Sequence, residues 1–221
     1  EPAEPTGYAQ RISIEDGIAC YLDNNGRANC ETDSWWEEMP DLSFRSIDVG
    51  DDVICGIDQE GTVTCIGDWH SYAPSGGYFT AMAAGEENAC GIRPDGTIEC
   101  WNENGTRKVE LEGTFVDLAI YGETECALNT DGGVQCWGWL WEKEFSGDFV
   151  QIAANKQILC GLTAQQTVIC PDDPQLVLPE GTYKHVAVGS HAVCAVTTEG
   201  AVVCAGQGSL SPQRKIGRAH V

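Results

Sequence analysis

The sequence has no apolar run approaching the roughly 18 residues that a membrane-spanning helix needs. It is also poor in cations, with 12 Lys and Arg against 34 Asp and Glu and a formal charge of −22. A chain this acidic repels phosphate backbones and anionic lipid. Nucleic acid and membrane insertion are therefore excluded as expected partners. Histidine is scarce: His70 and His185 have no recurring nucleophilic or acidic neighbour, His191 is expected to be structural, and His220 falls in the tail. Absent too are a Gly-x-Ser-x-Gly elbow, a His-Glu-x-x-His pair, a phosphate-cradling glycine loop and an Asp-x-Asp-x-Asp-Gly calcium loop. No two cysteines stand at the close spacing of a zinc pair. These absences leave no cofactor, no metal and no catalytic residue to expect. Carboxylates are abundant, but nothing marks two of them as an acid/base pair, so a carboxylate-based hydrolase is the least favoured alternative.

Cysteine, by contrast, is plentiful and ordered. Six pairs occur, Cys20/Cys30, Cys55/Cys65, Cys90/Cys100, Cys126/Cys136, Cys160/Cys170 and Cys194/Cys204, each with nine residues between its members. The first members recur after 35, 35, 36, 34 and 34 residues. A fixed period of this size marks a solenoid, propeller or array. Other positions keep step. An aromatic residue precedes each pair: Tyr8, Phe44, Phe79, Phe115, Phe149 and Tyr183. An alternating apolar run follows it, then Cys, a small residue and an aliphatic, then a turn such as Asp95-Gly96, then a second strand leading to the second Cys. The fifth copy has Ala164-Gln165-Gln166 where the others carry the turn glycine.

Turn chemistry explains the spacing. In Arg93-Pro94-Asp95-Gly96-Thr97, proline suits the first corner of a type I turn and glycine the left-handed position of a G1 bulge. That loop pairs Ile92 with Ile98, Gly91 with Glu99 and Cys90 with Cys100. The two cysteines then face each other across antiparallel strands, within disulfide range. Six disulfides internal to six hairpins are expected, and with them an oxidising, extracellular setting, secreted or at the cell surface. Each short loop gains roughly 2–3 kcal/mol at most from closure, so the bonds chiefly lock register.

At this level of detail the repeat resembles a known one. Phe115-Val116-Asp117-Leu118-Ala119, followed by Cys126-Ala127-Leu128-Asn129-Thr130-Asp131-Gly132-Gly133-Val134-Gln135-Cys136-Trp137-Gly138, is similar to the RCC1-type (regulator of chromosome condensation) repeat. The cysteine-bearing form resembles that of secreted bacterial RCC1-like proteins and of the crinkly repeats in plant receptor-kinase ectodomains. The resemblance implies an all-β fold, a β-propeller of six blades or of six blades out of a seven-bladed ring. It covers residues 7–210, in repeats at about 8–42, 43–77, 78–113, 114–147, 148–181 and 182–210. Residues 1–6 form an N-terminal extension and 211–221 a tail. The chain starts at Glu1 without a visible signal peptide, as a mature or trimmed end would. Residues 216–221 match one reading frame of a sequencing adapter and are read as non-native.

Members of this class include a nucleotide-exchange factor, a β-lactamase inhibitor and receptor ectodomains, so fold alone does not choose a function. The expectation is a recognition module for an unidentified protein or carbohydrate ligand, with a structural subunit of an extracellular assembly as the alternative. The segment after each second cysteine varies most among the copies. It carries Trp35, Trp36, Trp69, Trp139 and Trp141 beside Glu37, Glu38, Asp68, Glu142 and Glu144. Indoles beside carboxylates suit sugar stacking or a protein hot spot, which makes these five the expected binding residues. Trp101 and Trp137 fit the repeated pattern and are expected in the core. Asn104-Gly105-Thr106 is the one N-glycosylation sequon, expected on an exposed connection.

Overall fold

The computed structural model describes residues 11–15, 18–32, 43–50, 53–67, 74, 76–86, 88–121, 124–138, 143–155, 158–189 and 192–206. They form six antiparallel sheets of three or four strands, one per repeat. Blade one is β1 (Arg11–Glu15), β2 (Ile18–Leu22) and β3 (Ala28–Thr32), and blade two is β4 (Phe44–Val49), β5 (Val53–Asp58) and β6 (Val63–Gly67). Blade three is β7 (Ala81–Ala84), β8 (Ala89–Ile92), β9 (Ile98–Asn102) and β10 (Gly105–Val109). Blade four is β11 (Phe115–Tyr121), β12 (Thr124–Asn129), β13 (Val134–Gly138) and β14 (Lys143–Phe145). Blade five is β15 (Phe149–Ala154), β16 (Leu159–Thr163) and β17 (Val168–Ile169), and blade six is β18 (Tyr183–Gly189), β19 (Ala192–Thr197) and β20 (Val202–Gly206).

The cysteines fall where turn geometry puts them. Cys90 pairs with Cys100, Gly91 with Glu99 and Ile92 with Ile98. Gly96 takes φ +82° and donates its amide to the Arg93 carbonyl at 2.9 Å, the bulged turn that the sequence predicts. The disulfides are Cys20–Cys30, Cys55–Cys65, Cys90–Cys100, Cys126–Cys136, Cys160–Cys170 and Cys194–Cys204. All six close within their own hairpins, with Cα–Cα separations of 3.9–4.1 Å.

The second cysteines are less uniform than the repeat suggests. Cys30 and Cys204 sit within strands β3 and β20, opposite Cys20 and Cys194 in the ladder. Both are only partly buried, whereas Cys20 and Cys194 are fully buried. Cys170 departs from the strand pattern altogether, since β17 stops at Ile169 and the cysteine lies just beyond it. Pro171 follows and has no amide to donate to a ladder. The Cys170 carbonyl instead accepts the Asp173 amide at 3.2 Å, so the chain turns away at the cysteine. Its disulfide to Cys160 forms nonetheless, and Cys170 is buried.

Each blade is apolar on both faces because it packs between two others. The core is accordingly divided into six clusters, one at each junction of neighbouring blades. Val53, Ile57 and Cys65 of blade two meet Phe79, Met82 and Trp101 of blade three, for example. Cys90, Ile92 and Ile98 of blade three meet Phe115, Leu118 and Ile120 of blade four. The disulfide sulfurs thus double as apolar filler between blades. Cys170 joins the cluster between blades five and six, while Cys30 and Cys204 pack at the edges of theirs. The glycine after the first cysteine of blades two, three and five has a packing cause as well. A Cβ on Gly56, Gly91 or Gly161 would fall 2.5, 2.4 or 2.2 Å from the ring of Phe44, Phe79 or Phe149, so the repeated aromatic lies over that glycine.

The sixth cluster closes the ring. Ile12 and Ile14 of β1 pack with Ala187, Cys194 and Val196 of blade six. The first strands of the blades contact one another in a full cycle, β1 with β4, β7, β11, β15, β18 and back to β1. Among the described residues β1 pairs in a sheet with β2 of its own blade and not with blade six, so side-chain packing, not a shared sheet, makes this joint. The rival linear solenoid, in which the first and last repeats would not meet, is not what forms.

Candidate functional site

Six first strands around an axis splay too far apart to hydrogen-bond backbone to backbone, and side chains bridge them instead. The position opposite each first cysteine is Ser13, Asp48, Ala83, Ala119, Ala153 or Ala187. Ser13 Oγ accepts the Val49 amide at 3.0 Å and donates to Asp48 Oδ1 at 2.7 Å. Asp48 Oδ2 accepts the Ala84 amide at 2.8 Å. Two residues earlier stand Arg11, Ser46, Ala81, Asp117, Gln151 and His185, which line the axial channel. From that level Asp117 Oδ2 accepts the Ile152 amide at 2.9 Å. Gln151 both accepts from the Val186 amide (3.0 Å) and donates to its carbonyl (2.9 Å).

The enclosed part of the channel is narrow, about 70 Å³. Desolvation there sets its protonation chemistry. Burial raises Asp48 to about 6 against the hydrogen bonds from Ala84, Ser13 and Val49. Burial likewise raises Asp117 to about 6, opposed by the amides of Ile152 and Leu118 and by the charge of Arg11. His185 is pushed down to about 3, first by burial and then by Arg11, so it is neutral at physiological pH. With their oxygens on neighbouring backbones, the two carboxylates act as joints between blades.

One end of the channel opens into a wider mouth of about 400 Å³. A recurring irregularity builds it. In four blades the register of the first strand slips by one residue just after the repeated aromatic, at Phe44/Ser46, Phe115/Asp117, Phe149/Gln151 and Tyr183/His185. The extra residue is a β-bulge, which leaves the ladder and re-aims its side chain. The bulge residues are Arg45, Val116, Val150 and Lys184, with Thr80 at the matching place in blade three, and all five line the mouth. Arg45 is fixed there: its guanidinium donates to the Phe79 carbonyl and lies 5.4 Å from the centre of the Tyr78 ring.

The rim is apolar as well as basic. Among the described residues five large hydrophobics are exposed: Tyr78, Val116, Val150, Ile169 and Val177. Three of these five, Tyr78, Val116 and Val150, stand at or beside this mouth, which concentrates the exposed apolar surface at one place. Scattered exposure would need no explanation, but clustered exposure does.

The residues that the sequence singled out are distributed otherwise. Trp35, Trp36, Trp69, Trp139 and Trp141 lie outside the described residues, as do His70 and His191. Trp101 is buried in the core between blades two and three, and Trp137 is partly buried against the next junction. Asn104 is exposed in the tight turn between β9 and β10, its amide bonded to Asn102 Oδ1 at 2.9 Å. The bulge ring escaped the sequence reading because its members share no residue type.

The geometry defines a six-bladed β-propeller. No protein-family model matches the chain, and no curated protein sequence does. Solved structures match its fold. The CRINKLY WD40 ectodomain of the Arabidopsis thaliana receptor kinase ACR4 aligns with a TM-score of 0.68 at 21% identity, over 89% of this chain and 79% of that one. The entire ectodomain of the Physcomitrella patens receptor kinase CR4 gives 0.68 at 18%, over 93% of this chain and 63% of its own length. Prp20p of Saccharomyces cerevisiae gives 0.65 at 13%, over 88% and 71%.

Proposed function

We propose that the protein is an extracellular recognition module that binds a protein partner through the rim of its axial mouth. The observation that carries this reading is the contrast between two classes of position. Those that build a blade repeat: the cysteines and the aromatic in every copy, and the small residue beneath the aromatic in copies two to six. The bulge position, aimed at the mouth, differs in each copy except for the two valines. A scaffold repeated and a surface varied is how a rigid fold carries specificity. Tyr78 and Arg45 on the rim are residue types enriched in protein hot spots, and the exposed valines beside them add apolar surface. The six disulfides fit an oxidising compartment. The fold relatives point the same way: two are receptor-kinase ectodomains, and Prp20p is described by its binding to Gsp1p and histones. Asp48 and Asp117, the carboxylates of the channel, are bonded to backbone amides of neighbouring blades.

The test is a footprint. Secreted and surface proteins of the source organism are captured on the wild type, on Val116→Asp/Val150→Asp and on Ile169→Asp, which alters an exposed apolar residue that does not line the mouth. A partner retained by the wild type and Ile169→Asp but lost from the double variant supports the reading. A partner retained equally by all three refutes it.

A further inference from the structure

The mouth is two-sided. Lys184, Arg11 and Arg45 come from β18, β1 and β4, the first strands of blades six, one and two, which are consecutive around the ring. Val116 and Val150 come from β11 and β15, the adjacent blades four and five on the other side, with Thr80 of blade three between the arcs. The charge balance is local. Among the described residues, three cations line this mouth against the single carboxylate of Asp117, in a chain with 34 acidic and 12 basic residues. At physiological salt, exposed charges farther away than about 8 Å are largely screened. An occupant of the mouth therefore meets the cationic arc and not the acidic body.

We propose that the mouth takes an acidic segment of the partner protein, an Asp or Glu whose carboxylate meets the Lys184–Arg11–Arg45 arc while a neighbouring aliphatic side chain packs on Val116 and Val150. This rests on the reading of the mouth as a protein-binding site and adds the chemistry of what enters it. Arg45 supports the assignment by its fixity. Held by the Phe79 carbonyl and stacked on Tyr78, it loses little side-chain freedom on meeting an anion. Arg11 is exposed and its hydrogen bond to Ser46 Oγ is long, at 3.5 Å, which a carboxylate readily outcompetes. His185 stays neutral beneath them, so the arc's charge comes from Arg11, Arg45 and Lys184 alone.

The probe is a phage-displayed library of random dodecapeptides, selected on the folded, oxidised protein at neutral pH and about 0.15 M salt. The inference predicts peptides with Asp or Glu next to Val, Ile or Leu. Their affinity should fall tenfold or more when that acidic residue becomes its amide. It should fall similarly on Arg11→Gln or Lys184→Gln, variants whose unchanged melting temperature confirms the fold. Selected peptides that need Val116 and Val150 but bind equally as acid or amide overturn the acidic assignment and leave the binding mouth standing. Peptides indifferent to both the valines and the cations, or no selected peptide at all, overturn the mouth itself.

Discussion

The carbonyl of Gln166 accepts the backbone amide of Tyr183 at 2.9 Å, joining the hairpin tip of blade five to the first strand of blade six. The same bond recurs from Gly26 to Phe44 at 2.8 Å and from Gly61 to Phe79 at 2.9 Å. Each accepting residue is left-handed, with φ +78° at Gly26 and +82° at Gly61. Gln166, at +63°, is the one non-glycine residue with positive φ among those described. The turn is therefore retained in the fifth copy without its glycine, because it also docks the next blade.

A side chain in the left-handed region costs about 1–2 kcal/mol, and glycine gives back part of that through the freedom of the unfolded chain. Gln166→Gly should raise stability by about 0.5 kcal/mol, and Gln166→Val should lower it by about 1–2 kcal/mol. Denaturant unfolding of the oxidised protein reads both.

The aromatic over the small residue gives a second expectation. A Cβ on Gly91 would sit 2.4 Å from Phe79 Cδ1, and Phe79 is fully buried. Gly91→Val should cost about 3 kcal/mol by overpacking, and Gly91→Ala about half as much. Alanine is the cheaper change because blades four and six carry Ala127 and Ala195 at the same place. Thermal melts of the two variants test the order.

The channel predicts the pH dependence. Asp48 and Asp117, at about 6 in the fold against 3.8 for the ordinary group, bind protons in the native state between about pH 4 and 6 that the unfolded chain has released. Their contribution is therefore largest below about pH 4 and is lost as pH rises to 6. His185, at about 3 against 6.5, acts in the opposite sense across that window. Two carboxylates against one imidazole leave a net proton, so stability should fall as pH rises from 4 to 6. Burial raises Glu125 too, which adds to the fall. Asp48→Asn should remove about one proton from this slope, as read in denaturant midpoints against pH.

How much of this was legible in the sequence follows from what repeats. The hairpins, their register, the six disulfides and the propeller itself were readable, since the spacing of Cys90/Cys100 recurs in each copy and the turn glycine represented by Gly96 in all but the fifth. The early end of β17 before Cys170 was not, because the cysteine spacing stays constant while the strand around it does not. Neither the channel nor the mouth was legible. Ser13, Asp48 and Asp117 act across neighbouring blades, about 35 residues away, and copies that carry alanine at the position of Asp48 hide its role. The bulges depend on two residues facing one, a pairing that Phe44-Arg45-Ser46 does not announce. The indoles at 35, 36, 69, 139 and 141 stand in segments that vary from copy to copy, and the bulge position varies in the same way.

Asn104 should carry a glycan when the protein passes through a secretory pathway that glycosylates sequons, because it projects from an exposed hairpin turn. Intact mass before and after enzymatic deglycosylation reads this. Asn104→Gln should abolish the difference without shifting the melting temperature.

The mouth exists only if blade six meets blade one, and that joint rests on Ile14, whose side chain lies 3.1 Å from where a Cβ on Gly189 would stand. A photo-crosslinking amino acid placed at residue 14, followed by peptide mapping of the monomer, tests it directly. The closed six-bladed ring predicts an intramolecular crosslink to the peptide spanning residues 183–197. Crosslinks to a second copy of the chain, or none to blade six, would contradict it.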